Sequence, residues 1–316
     1  MVYCIFEHLA MGIKQSARFK QRQSGENLWW ENGSEAFVPN NRPLPYKVLN
    51  SEEEVGRALF QELTDYAETK SGDINIVLLG GRGAQAMYKI IRGLAEANEI
   101  DDLLGRLNVF TQDALAPLGM RNSLNFVKDF ERQLGEAFFR KIKKFVPMIT
   151  DSGNLESSVL GYLESLERLG GIDIFYIGLG PEENAASHIC YIKPNSGARY
   201  NDLAGLIPIS ESILEHHIAK FKAGGSEVSP EDEAECRRAK FIMTLGPAVI
   251  LSAKRVVQSI VDASTAPRKK ESFKRLIETE INQDIEQAER QCNENPGLWI
   301  RLHNNVQSYV LPDLLS

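Results

Sequence analysis

Short apolar runs that stop at glycine constrain this chain most. Ile74-Asn75-Ile76-Val77-Leu78-Leu79 runs into Gly80-Gly81-Arg82-Gly83-Ala84, and Ile172-Asp173-Ile174-Phe175-Tyr176-Ile177 runs into Gly178-Leu179-Gly180. Between them, Leu107-Asn108-Val109-Phe110 ends at Thr111-Gln112-Asp113. Runs of this length without polar alternation are the mark of strands buried on both faces, as in a parallel sheet covered by helices. Ligands bind beyond the carboxyl ends of such strands. The first glycine loop is suited to an anion, because bare backbone N–H groups approach closely and the following helix adds its positive end. It is neither a P-loop nor a dinucleotide fingerprint, since it lacks both the Gly-Lys-Ser/Thr ending and the G-x-G-x-x-G spacing. A tight strand-to-helix turn without a ligand is the plainer alternative.

Strands alternate with helical patterns along most of the chain, which predicts an α/β fold with a mostly parallel sheet. Tyr46–Leu49 reads as a short edge strand, and Ser51 with Glu54 reads as a capping box opening a helix through Leu59 and Leu63. Helices are expected from about 84 to 98, from about 124 to 145 with Phe126, Phe130, Leu134 and Phe138 on one face, and around Leu155 to Leu166. The stretch 220–238, rich in acids, reads as a mobile surface connection. The apolar run Phe241–Gly246 leads to a helix expected near Ala248 and a strand near Val256-Val257, and a charged helix is expected from about 273 to 291. Residues 1–45 are polar and hold Trp29-Trp30 and Pro43-Leu44-Pro45. They read as an irregular arm ahead of one domain spanning 46–316.

The chain has 316 residues with a net charge of −7, which argues against a nucleic-acid partner, and no apolar stretch is long enough to cross a bilayer. Its four cysteines are scattered and form no C-x-x-C pair, which favours free thiols in a reducing, cytoplasmic setting. The first residues carry no arginine- or lysine-led apolar segment, so a signal peptide is not expected there. His216 and His217 are adjacent and so do not face one metal site on a helix.

These residues resemble the superfamily of glucosamine-6-phosphate deaminase and 6-phosphogluconolactonase. The resemblance covers about 46–313. Gly80-Gly81-Arg82-Gly83-Ala84 followed by Met87-Tyr88 is similar to that family's phosphate loop, and Val109-Phe110-Thr111-Gln112-Asp113 to its strand ending in an acidic pair. Thr244-Leu245-Gly246 through Val256, and Leu298-Trp299-Ile300-Arg301-Leu302-His303, are similar to segments of the deaminase branch. The resemblance implies a modified Rossmann-like sheet with helices on both faces, a sugar-phosphate substrate, no metal or nucleotide cofactor, no membrane partner and possible homo-oligomers. It implies that Asp113 is the base for proton transfer. Phosphate ligands would be Gly80, Gly81, Arg82 and Gly83, joined by Lys269 or Lys270 near the family's lysine, or by His217 where deaminases place an arginine.

The second glycine loop departs from the family. Where the family reads Gly-x-Gly-x-Asp-Gly-His, this chain reads Gly178-Leu179-Gly180-Pro181-Glu182-Glu183-Asn184. Asn184 cannot carry a proton as the family histidine does. The glutamate that supports that histidine in deaminases falls on Ile189. Glu182 is a candidate ring-opening acid or a partner for Asn184. His188, four residues on, presents an imidazole near the lost one if this segment is helical. The expected activity is aminosugar-phosphate deamination or isomerisation. A non-catalytic sugar-phosphate-binding protein and a lactonase-like hydrolase stay open as alternatives.

Overall fold

The computed structural model describes residues 2–7, 16–21, 39, 41–180, 186–264 and 266–315. In chain order these form β1 (Val2–Glu7), β2 (Ser16–Gln21), β3 (Tyr46–Val48), α1 (Glu52–Thr69), β4 (Ile74–Leu78), α2 (Gln85–Glu96), α3 (Asp101–Leu104), β5 (Leu107–Thr111) and β6 (Asp113–Ala116). Next come α4 (Phe126–Lys141), β7 (Lys144–Val146), α5 (Leu155–Arg168), β8 (Ile174–Ile177), β9 (Asp202–Pro208), α6 (Glu211–Ala223) and α7 (Pro230–Cys236). The chain closes with β10 (Phe241–Leu245), α8 (Pro247–Ser252), β11 (Arg255–Ile260), α9 (Arg268–Glu278), α10 (Ile285–Glu294) and β12 (Val306–Val310).

A seven-stranded sheet runs in the order β3-β12-β11-β8-β4-β5-β7, and every pairing in it is parallel. All residues of β4, β5 and β8 are buried, the signature of strands covered on both faces. Two apolar clusters flank this sheet. Phe110, Phe175 and Trp299 belong to one, and Tyr88, Phe130 and Tyr176 to the other. The fold is thus the expected α/β sheet between helical layers.

A second sheet, β1-β2-β9-β10-β6, is antiparallel throughout and was not expected from the sequence. Phe241–Leu245 belongs to it and not to the parallel sheet. Two segments of the stretch expected to be irregular are strands of it, β1 and β2. The chain passes from one sheet to the other at Gln112: β5 ends at Thr111 and β6 begins at Asp113.

Local chemistry explains most element ends. Ser51 accepts a hydrogen bond from the Glu54 backbone N–H at 3.2 Å, but the Glu54 carboxylate reaches back to the Asn50 N–H at 2.9 Å, one residue short of a capping box. The helix expected over 124–145 is broken at Gly135, whose φ of 76° and ψ of 165° leave the helical region, and Phe145 lies in β7. The acidic stretch 220–238 is not an irregular connection. It holds the end of α6 and all of α7, with Ser229 capping and Pro230 in the first turn. Its acids have structural partners, as Glu235 accepts from the Gly119 N–H at 2.9 Å and the Asn122 side chain at 2.8 Å. The charged helix expected over 273–291 is two helices, α9 and α10.

Candidate active site

Four neighbouring parallel strands, β11, β8, β4 and β5, end at one cavity of about 440 Å³. Leu79 to Gly83 follow β4, Gln112 and Asp113 follow β5, Gly178 to Gly180 follow β8, and Asp262 follows β11. Helix α6 contributes His216, His217 and Lys220, α9 contributes Lys269, and α4 contributes Phe126 and Asp129.

The first glycine loop is fixed from several sides. Gly81 has φ +79°, a conformation that side chains disfavour, and a single turn of 3-10 helix, Arg82–Ala84, leads into α2. The Ser259 hydroxyl donates to the Gly83 carbonyl at 2.6 Å, tying the loop to β11, and the Tyr88 hydroxyl donates to the Leu79 carbonyl at 2.7 Å. Arg82 lines the cavity, yet its guanidinium is held by Glu52 in the first turn of α1, with Nη2 2.5 Å from Oε1.

Asp113 lies at the joint between the sheets, and among the described residues no hydrogen bond reaches its carboxylate. Burial alone pushes its carboxyl up to about 8. A group with that value holds its proton at neutral pH and becomes a base in the mildly alkaline range. Behind it, the Cys190 thiol donates to the Gln112 side-chain oxygen at 2.9 Å, and the Gln112 amide donates to the Leu78 carbonyl at 3.1 Å.

Asp262 binds two ammonium groups, Lys269 Nζ at 2.5 Å and Lys220 Nζ at 2.8 Å. Burial works against its ionised form, but the two lysines outweigh that and hold the carboxyl well below its usual range. Lys269 is almost completely buried, and burial together with the nearby Lys220 lowers it to about 8. Lys270, one residue on, is half-buried and does not line the cavity.

The histidines differ in use. His217 Nε2 lies 2.7 Å from the Leu124 carbonyl and Nδ1 lies 2.8 Å from the Tyr191 hydroxyl. Both nitrogens of His217 are thus occupied by protein partners, and its ring lines the cavity wall. His188 is not on a helix, as its expected role required. It pairs with Gly180 through an antiparallel bridge, and its ring packs on Tyr191 with centroids 4.7 Å apart. Its Nδ1 is buried without a partner among the described residues. Burial, with His216 and Lys269 nearby, keeps His188 well below the usual imidazole range, and so neutral. His216 Nε2 is likewise unpartnered, and burial lowers His216 to about 3. Ile189, where the family carries a glutamate, is buried in the core and does not line the cavity.

The cavity therefore gathers Gly80, Gly81, Arg82, Gly83, Asp113, His188, His217 and Lys269. Glu182, Asn184 and Trp29-Trp30 lie outside the described residues. Reading the sequence missed Lys220, Asp262 and His216. Asp262 carried a usable signal, since it ends an apolar strand run as Asp113 does. Lys220 stands three and four residues beyond His217 and His216, the spacing of one helix face. Among the described residues no group of side chains has the makeup of a metal site, and no helix is long and apolar enough to cross a membrane.

The chain is similar to a glucosamine-6-phosphate deaminase of Staphylococcus epidermidis, with 25% identity over 256 residues, 81% of this chain and 90% of the relative. A deaminase of the same name from Halothermothrix orenii shares 27% identity over 130 residues, 41% of this chain and 47% of the relative. No family model matches the chain. Among solved structures, a monomeric glucosamine-6-phosphate deaminase superposes with a TM-score of 0.64 at 18% identity, covering 86% of this chain and 98% of the other. A 6-phosphogluconolactonase from Trypanosoma cruzi superposes with a TM-score of 0.59 at 14% identity, covering 88% and 97%.

Proposed function

A divergent member of the glucosamine-6-phosphate deaminase and 6-phosphogluconolactonase superfamily, the chain is, we propose, a sugar-phosphate enzyme of the aminosugar-phosphate deaminase or isomerase type. One observation carries this reading: a single cavity of about 440 Å³ is lined by the glycine loop, by two lysines and by the buried carboxyl of Asp113. The N–H groups of Gly81, Arg82 and Gly83 and the ammonium groups of Lys220 and Lys269 take the phosphate. Asp113, once ionised, removes the proton from the sugar carbon beside the carbonyl and returns it to the neighbouring carbon. Its raised value suits this work, because a base is most effective when its pKa lies near the working pH. His188, neutral and lining the cavity, accepts a hydrogen bond from the ring hydroxyl that must lose its proton when the sugar opens.

The non-catalytic alternative draws on the same carboxyl, which holds its proton at neutral pH, and on Asn184 in place of a titratable side chain. Thermal melts with glucosamine 6-phosphate and fructose 6-phosphate test binding first. A ligand at about 100 times its dissociation constant adds roughly 2.7 kcal/mol of stability. Binding with turnover supports the enzyme, binding without turnover at any pH up to about 9 supports the alternative, and no binding removes both.

A further inference from the structure

Each lysine and arginine among the described residues lining the cavity already has a carboxylate partner. Lys220 and Lys269 share Asp262, and Arg82 is held by Glu52. The two arrangements differ in burial. Asp262 is almost wholly buried and gripped from both sides, whereas the side chains of Arg82 and Glu52 are 45% and 28% exposed. Taking one partner from a buried pair is costly, while parting an exposed pair costs little.

We propose that Glu52 is an internal competitor for the ligand's phosphate: on binding, the Arg82 guanidinium leaves Glu52 and turns onto the anion, while Asp262 keeps its two lysines. The proposal rests on the cavity being a phosphate site. Three features point to the exchange. Arg82 lies inside the glycine loop itself, at the edge of the cavity, so a change of partner needs only rotation about its side-chain bonds. Its contact with Glu52 uses Nε and Nη2, the edge that grips phosphate in two-point fashion. Glu52 is not needed to start its helix, because Ser51 supplies the cap. Glu52 thus sets the site's affinity for an anion by acting through Arg82.

The test is calorimetric titration with inorganic phosphate and with glucose 6-phosphate, on wild type, Glu52→Gln, Arg82→Met and the double variant, each checked by its thermal melt. Glu52→Gln is expected to bind both probes more tightly, by up to about fivefold, the ceiling for an exposed ion pair. Arg82→Met binds more weakly, and the double variant matches Arg82→Met, because the gain needs the arginine. A gain that persists in the double variant, or Glu52→Gln binding no tighter than wild type, overturns the exchange while leaving the phosphate site in place. Wild type that binds neither probe overturns the phosphate site itself, and the exchange with it.

Discussion

Gly180 and His188 face each other across an antiparallel bridge, and a β-carbon on Gly180 would fall 1.8 Å from the His188 ring carbon Cε1. The glycine is what lets the imidazole lie over the end of β8. Gly180→Ala is therefore expected to push His188 out of place. Turnover should fall by about 100-fold or more, the range for losing a positioned proton-transfer group, while phosphate affinity holds within about twofold, because the glycine loop and lysines are untouched. Steady-state kinetics beside phosphate titration separate the two effects.

Asp113 links the site to stability. Burial raises its carboxyl from 3.8 to about 8, so the native protein keeps a proton that the unfolded chain gives up between those values. The native state then binds more protons than the unfolded state. This contribution is complete below the lower value and is lost as pH rises through the upper one. Asp113→Asn abolishes the dependence. The variant is expected to gain on wild type steadily between about pH 4 and pH 8, ending more stable by a few kcal/mol in order of magnitude. Urea unfolding at several pH values checks this.

The histidines act in the opposite direction. Burial lowers His216 to about 3 and His217 to about 4, so the native protein refuses protons that the unfolded chain accepts below about 6.5. Their contribution is present above that value and is lost as pH falls. His216→Gln, at a half-buried position, is expected to move the acid-unfolding midpoint to lower pH. An unchanged midpoint in circular-dichroism titration contradicts this assignment.

Asp262 is expected to matter to the fold as well as to binding. Asp262→Ala leaves Lys269 buried beside Lys220 with their shared carboxylate gone. A loss of about 3–5 kcal/mol is expected, as for other buried pairs broken on one side. Lys269→Met should be milder in stability but weaken phosphate binding by about tenfold or more, the worth of a charge-assisted hydrogen bond.

The parallel sheet was legible because its strands are buried on both faces and end at glycine or a carboxylate, as at Leu79-Gly80, Gln112-Asp113 and Ile177-Gly178. The antiparallel sheet was not. Asp113–Ala116 follows β5 after a single residue, so no turn marks the change of sheet. Asp202–Pro208 contains a glycine and is nearly all buried, so it shows no alternation. Phe241–Leu245 reads the same whichever sheet it joins. The glycine loop, Asp113 and Lys269, which line the cavity, stand out through local patterns that survive without neighbours. The surroundings of His217 were not legible, because its residue type says nothing of its partners, and only tertiary packing places Tyr191 and the Leu124 carbonyl against its two nitrogens. Lys220 and Asp262 form a pair 42 residues apart, which no local window contains.

Asp113 is expected to move a proton on a sugar phosphate held in this cavity. The most direct test is deuterium uptake from heavy water into fructose 6-phosphate and glucosamine 6-phosphate, followed by NMR at about pH 8 for wild type and Asp113→Asn, with binding of each measured in parallel. Deuterium should appear at the carbon beside the carbonyl with wild type and at background rate with Asp113→Asn, which still binds. Uptake at equal rates in both proteins, or neither uptake nor conversion by wild type that binds either sugar, would contradict the account.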